Sequence, residues 1–263
     1  MSWWGKLIGG TVGFMIGGPL GGLLGVALGH QADKNSPRGV GSPSGDPERV
    51  QTAFFTATFS VMGHIAKADG RVSEDEIVLA RHVMQSMALT PLMETMAKRL
   101  FNVGKQPDFP LDDVLDQLRK ECHRRRTLLQ MFVEIQFTAA YADGVLHREE
   151  RRILLNICEQ LGFSRQDFER LDDMVRAEQR FGRGRRQSTS TTTFSLEDAY
   201  AILNISPDVS DSEVKKAYRR LMNQHHPDKL VAKGLPEEMM KLAAQKTHEI
   251  RTAYERIREA RGF

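Results

Sequence analysis

His226, Pro227 and Asp228 stand side by side in Gln224-His-His-Pro-Asp-Lys-Leu230, between two segments of helical periodicity. Pro227 disfavours the α region for His226 and removes a backbone donor, which predicts that the upstream helix stops at about His225. Asp228 then falls on an exposed connection, where its carboxylate can accept a bidentate hydrogen bond from an arginine of another molecule. The plainer alternative for Asp228 is a helix cap or turn. Catalysis is not supported, because no nucleophile–base pair and no second acid stands ready to work with His226. Metal binding is not supported either, since the neighbours His225 and His226 do not converge on one ion without further ligands.

The elements around this bend say what it could serve. Upstream, Val214, Ala217, Tyr218 and Leu221 fall at i, i+3, i+4 and i+7, the stripe of a helix packed on one side. Lys215, Lys216, Arg219 and Arg220 share another face, where four cations repel one another and gain no i,i+4 pairing. Such a run alone reads as a solvated helix face. Beside the bend it reads as an electrostatic dock for an acidic partner, raising on-rate and fixing orientation. Downstream, after Gly234-Leu-Pro236, a second helical segment ends in Glu249-Ile-Arg-Thr-Ala-Tyr-Glu-Arg-Ile257.

Residues 194–263 resemble the J-domain of the DnaJ/Hsp40 co-chaperones. The likeness rests on Ala199 to Leu203, Val214 to Leu221, His226-Pro-Asp-Lys229 and Ile250 to Ile257. It implies a helical hairpin whose loop engages an ATP-bound Hsp70 and stimulates its ATP hydrolysis. The implied contact set is Lys215, Lys216, Arg219, Arg220, Asn223, His226, Pro227, Asp228 and Lys229. His225 departs from the family, which more often has Tyr there; the position is expected to pack at the helix end. The chain carries no Cys-x-x-Cys repeats, so the zinc and substrate-binding modules of full-length DnaJ proteins are not implied.

At the other end, residues 7–29 carry no charge. At 1.5 Å per residue they would reach about 35 Å, enough for a transmembrane helix. Trp3 and Trp4 stand where an interfacial aromatic belt belongs. In water so many glycines would defeat a helix; in lipid the backbone must satisfy itself internally. Gly9, Gly13, Gly17, Gly21, Gly25 and Gly29 recur every fourth residue, a small-xxx-small ridge suited to a helix homodimer. The alternative is a glycine-rich anchor that packs weakly or on other proteins. Pro19 is expected to kink the helix midway. A cleaved signal peptide fits less well, because the apolar run exceeds a 7–15-residue h-region. Flanking charge is nearly balanced: residues 1–6 carry Lys6, and Lys34 and Arg38 follow the span. Orientation is therefore argued from function: a J-domain must share the compartment of Hsp70 and ATP, so the C-terminal part is cytoplasmic and the N terminus periplasmic.

Between the two ends, residues 30–48 are a flexible Pro/Gly/Ser linker and residues 49–178 are long enough for a core. Phe54, Phe55, Phe59, Met62, Ile65 and Ala66 make one apolar stripe, and Phe132, Ile135, Gln136 and Ala139 another. Ala68-Asp-Gly-Arg-Val-Ser-Glu-Asp-Glu76 repeats as Ala142-Asp-Gly-Val-Leu-His-Arg-Glu-Glu150, a helix–turn–helix unit. Glycine would end one helix and Ser73 with Glu76 would cap the next. A sharper reading gathers Asp69, Glu76, Asp143 and Glu150 around a cation or basic partner, but the ligand density falls short of an EF-hand. The paired Ala-Asp-Gly turns resemble the TerB-like (tellurite-resistance) helical domains. Residues 179–193 form a second, basic and Ser/Thr-rich linker, expected to be a solvated tether. Aromatic residues are too scarce there for nucleic-acid stacking. Cys122 and Cys158 show neither metal spacing nor a disulfide framework, and fit a reduced compartment.

The expected fold is all-α: an N-terminal transmembrane helix, a TerB-like bundle and a C-terminal J-domain hairpin. That order resembles a family of membrane-anchored DnaJ-like proteins of Gram-negative bacteria. The resemblance implies an inner-membrane location, partnership with DnaK, the bacterial Hsp70, and an influence on envelope-stress or capsule signalling. It implies no cofactor, no metal, no enzymatic site and no nucleic acid. The alternative reading is a membrane signalling adaptor that acts through transmembrane dimerisation and the middle domain.

Overall fold

The computed structural model describes residues 18–28, 47–68, 89–141, 144–186 and 195–263, and every regular element among them is helical. In chain order these are α1 (Gly18–Leu28), α2 (Pro47–Ala66), α3 (Pro91–Gly104), α4 (Leu111–Glu121), α5 (Arg126–Ala140), α6 (Arg148–Gln160) and α7 (Arg165–Arg186). There follow α8 (Leu196–Leu203), α9 (Asp211–Gln224), α10 (Pro227–Ala232), a 3₁₀ turn (Glu237–Met239) and α11 (Met240–Arg261).

The middle domain is organised around α2, which is buried nearly all round. A helix apolar on every side cannot lie on a surface, so α3, α4 and α5 wrap it. Three of its hydroxyls are satisfied within the helix: Thr52, Thr58 and Ser60 donate to the carbonyls of Glu48, Phe54 and Thr56 at 2.7–2.8 Å. Gln136 of α5 donates to the Thr58 carbonyl at 3.2 Å. Phe54 meets Phe132 edge to face, and Phe137 lies 5.0 Å from Phe168. The α2–α3 crossing is set by glycine: a Cβ on Gly63 would lie 2.0 Å from the Phe101 carbonyl oxygen. One on Gly104 would lie 1.8 Å from that of Ser60. Nothing larger fits.

The expected membrane span is only partly within the described residues; Gly9, Gly13, Gly17 and Gly29 of the glycine ridge lie outside them. At Gly18 the backbone takes φ +68°, outside right-handed helical geometry, so Pro19 opens α1 instead of kinking a helix midway. α1 packs against α2, α3 and α4. Leu20, Leu23, Leu24 and Gly21 are buried there, and the Leu20 N–H donates to Gln117 Oε1 at 2.8 Å. Among the described residues no helix is long and apolar enough to cross a membrane.

A second difference concerns residues 179–193, expected to be a tether. Helix α7 runs through their first half to Arg186. Its Phe168, Leu171, Met174 and Val175 belong to the middle-domain core, while Ala177 belongs to the C-terminal one. Arg180 reaches Asp198 of α8 at 2.5 Å. The positive charge that suggested solvation is partly spent on this contact.

In the C-terminal domain α8, α9 and α11 enclose Ala199, Tyr200, Ile202, Leu203, Val214, Leu221, Ile250, Ala253 and Ile257. Arg261 closes it from the end of α11, donating to Tyr200 Oη, the Val209 carbonyl and Asp211 at 2.6–3.0 Å.

Candidate partner-docking site

α9 begins at Ser210, whose hydroxyl accepts from the Glu213 N–H while Glu213 accepts from the Ser210 N–H, a reciprocal capping box. From there the periodicity read in the sequence holds: Val214, Ala217 and Leu221 are buried. Tyr218 is half-buried and stacks on Tyr254 of α11, with ring centroids 4.2 Å apart. This packing turns Lys215, Lys216, Arg219 and Arg220 outward, all exposed, and among the described residues none forms an ion pair within 4 Å. Lys215 Nζ lies 4.7 Å over the Phe263 ring, and Arg219 Nε donates to the Lys215 carbonyl.

α9 ends at Gln224, with His225 as its C-cap residue. His226 then takes an extended conformation (φ −60°, ψ 124°), as the following proline demands. The tripeptide is more ordered than an open loop. Pro227 occupies the first position of α10, where its missing N–H costs nothing, and Asp228 lies in the first turn, favoured by the helix dipole. Exposure is nevertheless kept: 48% of the His226 side chain and 82% of Asp228 face solvent, with His226 Nδ1 4.0 Å from Asp228 Oδ2. Lys229 is exposed and contacts Asn223 Oδ1, tying the start of α10 back to α9. The expected contact residues thus form one continuous surface: four cations along α9, then Asn223, His226, Asp228 and Lys229 around its end.

His225 packs at the helix end, as expected of that position, but against the middle domain. Its side chain is 2% exposed, with Nδ1 3.8 Å from Glu134 Oε2 of α5. Burial holds the imidazole below its ordinary range, only partly opposed by Glu134. From α10 onward, Leu230, Leu235, Met239 and Ala243 join the core of the middle domain. Gly234 (φ +100°) passes so near Val50 that a Cβ would lie 2.6 Å from its Cγ1. Arg220, Leu221 and Gln224 line one side of an interdomain cavity of about 290 Å³, opposite Arg126, Phe163 and Arg170.

Of the four acidic residues weighed for a cation, Asp69, Glu76 and Asp143 lie outside the described residues. Glu150 is buried, and its carboxylate accepts from the His147 N–H at 2.9 Å to cap α6. Among the described residues no group of three metal-ligating side chains gathers. Cys122 and Cys158 are buried and unpaired, and burial pushes both thiols up to about 12, where they are unreactive. Close to the second repeat, Asp172 binds Tyr141 Oη, Arg151 at 3.1 Å and Arg176 at 3.0 Å, joining α5, α6 and α7.

Three family models match: the Co-chaperone DjlA transmembrane domain over residues 1–48, Tellurite resistance protein TerB over 55–173 and the DnaJ domain over 198–261. Co-chaperone protein DjlA of Coxiella burnetii is 47% identical across 100% of both chains. The chain belongs to the DjlA family. The DjlA proteins of Shewanella oneidensis and Escherichia coli K12 are 46% and 43% identical, again over full length. No solved structure matches the chain. DjlA membership carries a co-chaperone role, an Hsp70 partner and a membrane-anchoring domain, and it agrees with the all-helical fold.

Sequence reasoning missed Glu134, Glu178 and Lys246, which surround His225 between the domains. One signal was available: Lys246 falls on the stripe Ala243, Ile250, Ala253 and Ile257, a charge on a buried face.

Proposed function

We propose that this chain tethers a J-domain to the bacterial inner membrane, where its α9–α10 surface binds DnaK and accelerates ATP hydrolysis. The observation that carries this reading is the exposure of His226 and Asp228 at the end of an α9 face with four unpaired cations. Cations so arranged suit an acidic surface, with weak individual contacts that sum to orientation and on-rate. A carboxylate beyond them suits a bidentate arginine on the partner. The chain does no chemistry of its own in this mechanism; it biases the partner toward hydrolysis by binding one conformation better. The N terminus is placed in the periplasm and the C-terminal domains in the cytoplasm with DnaK and ATP. The part of the glycine ridge ahead of α1, Gly9, Gly13 and Gly17, pairs two copies in the bilayer, and an effect on envelope-stress signalling follows from the shared membrane location.

The test is the steady-state ATPase rate of DnaK with the full chain in lipid nanodiscs. Wild type raises the rate; His226→Gln abolishes the increase while leaving the helical content unchanged. Equal stimulation by that variant would refute the reading. Arg219→Glu with Arg220→Glu weakens stimulation most at low ionic strength, where exposed charges are least screened.

A further inference from the structure

Behind the docking surface lies a cluster of ionisable groups that the expected contact set does not include. Lys246 of α11 places Nζ 2.5 Å from Glu178 Oε1 of α7 and 3.4 Å from Glu134 Oε2 of α5. The three side chains are 8%, 12% and 4% exposed, in that order. His225 stands on the other side of Glu134, and neither ring nitrogen has a hydrogen-bond partner. Burial drives the Glu178 carboxyl up to about 8, against the pull of Lys246; burial also works against the Glu134 carboxylate, but Lys246 and His225 outweigh it and hold that group below its ordinary range. Lys246 thus stands between the Glu178 and Glu134 carboxyl groups, and Glu249 of the same helix adds to the field around it. An ionised carboxylate or ammonium is tolerated in such a place only beside its partner. The ammonium is paired with both carboxyl groups only when α5, α7 and α11 are all in position.

The His-Pro-Asp segment is pinned on both sides of its exposed residues. Before it, His225 is buried against Glu134; after it, Leu230, Leu235 and Met239 enter the middle-domain core. Lys233 Nζ adds a hydrogen bond to Thr127 Oγ1 at 3.1 Å. His226, Asp228 and Lys229, between the pins, face solvent. Docking of the two domains does not mask these side chains. It orders them.

We propose that the middle domain positions the His-Pro-Asp segment, with Glu134 and Glu178 acting through Lys246 and His225 to hold it as it is presented to Hsp70. These four are positioning residues, and the inference rests on the reading of the α9–α10 surface given above. A segment ordered in advance loses less conformational freedom on binding, so the brace acts on apparent affinity. The plateau of stimulation, which depends on His226 and Asp228, is untouched.

The experiment uses full-length protein in nanodiscs at about pH 7.5, where an ordinary imidazole is neutral. DnaK ATPase is titrated while spin labels on the exposed positions Lys120 and Lys241 report the distance between domains. Lys246→Met leaves Glu134 as a buried anion without a cation. The half-maximal concentration should rise about tenfold at constant plateau, and the label distance should broaden. Adding Glu134→Gln and Glu178→Gln removes both buried acids left without the ammonium and should return both readouts to within about twofold of wild type. Unchanged half-maximal concentration, increased stimulation, or failure of the triple variant to recover would each overturn the brace. If wild type stimulates no ATPase, the reading of the surface fails. The label distances then still decide the brace, which an unaltered distribution in Lys246→Met would overturn.

Discussion

Gly234→Ala tests the contact between the C-terminal domain and the middle-domain core where there is least room. Two costs arise. At φ +100° a residue with a Cβ is strained by about 1–3 kcal/mol. The new Cβ would also lie 2.6 Å from Val50 Cγ1, and forcing a methyl into a filled core costs about 1–3 kcal/mol. Alanine recovers about 0.4–1 kcal/mol by restricting the unfolded chain. The net loss should be about 1–5 kcal/mol, or roughly 2–20 °C in Tm for a chain of this size. Thermal denaturation followed by far-UV circular dichroism, with the full chain in detergent, measures it. Val50→Ala removes Cγ1 but not the backbone strain, so the double variant should be less destabilised than the sum by about 1–2 kcal/mol. A loss below about 1 kcal/mol for Gly234→Ala, or strict additivity with Val50→Ala, would refute the proposed approach of the two domains.

The remaining expectations concern pH and helix crossing. His225 is faced by Glu134 from α5 and by Lys246 from α11 and, through Lys246, by Glu178 from α7 and Glu249 from α11. Its docked pKa lies below the ordinary 6.5, so its contribution to docking is complete above pH 6.5 and is lost as pH falls. Glu178 and Glu249 are raised and act with the opposite sign, so the difference between wild type and His225→Phe isolates the imidazole. The docked fraction read by the Lys120–Lys241 labels should fall below pH 6.5 in wild type relative to His225→Phe; parallel curves would exclude an imidazole contribution. In the core, Gly63→Ala or Gly104→Ala must push α2 and α3 apart, and each should cost about 2 kcal/mol or more in urea denaturation, despite alanine's better helix propensity.

Local pattern carried the C-terminal domain almost whole. The stripe of Val214, Ala217 and Leu221 and the proline-enforced stop were readable because each depends on neighbours three or four residues away. The core role of Phe54, Phe55, Phe59 and Phe132 was readable for the same reason. What stayed hidden depends on which helices meet. Glu134 sits in Phe132-Val-Glu-Ile135 with nothing local to announce that Lys246, more than a hundred residues on, would neutralise it. The basic composition of residues 179–186 suggested a tether, yet the partner that orders Arg180 is Asp198, beyond the Ser/Thr run. Pro19 and its glycines promised a kinked span, while Gln117 supplies the acceptor that anchors α1 on the middle domain.

Helix α7 belongs to two cores at once, with Val175 in one and Ala177 in the other, only a half-turn apart. A fragment begun near residue 194 would therefore leave Ala177 behind and open the apolar cluster of α8, α9 and α11 to which it belongs. A recombinant piece meant to behave as the parent does should start ahead of Arg165.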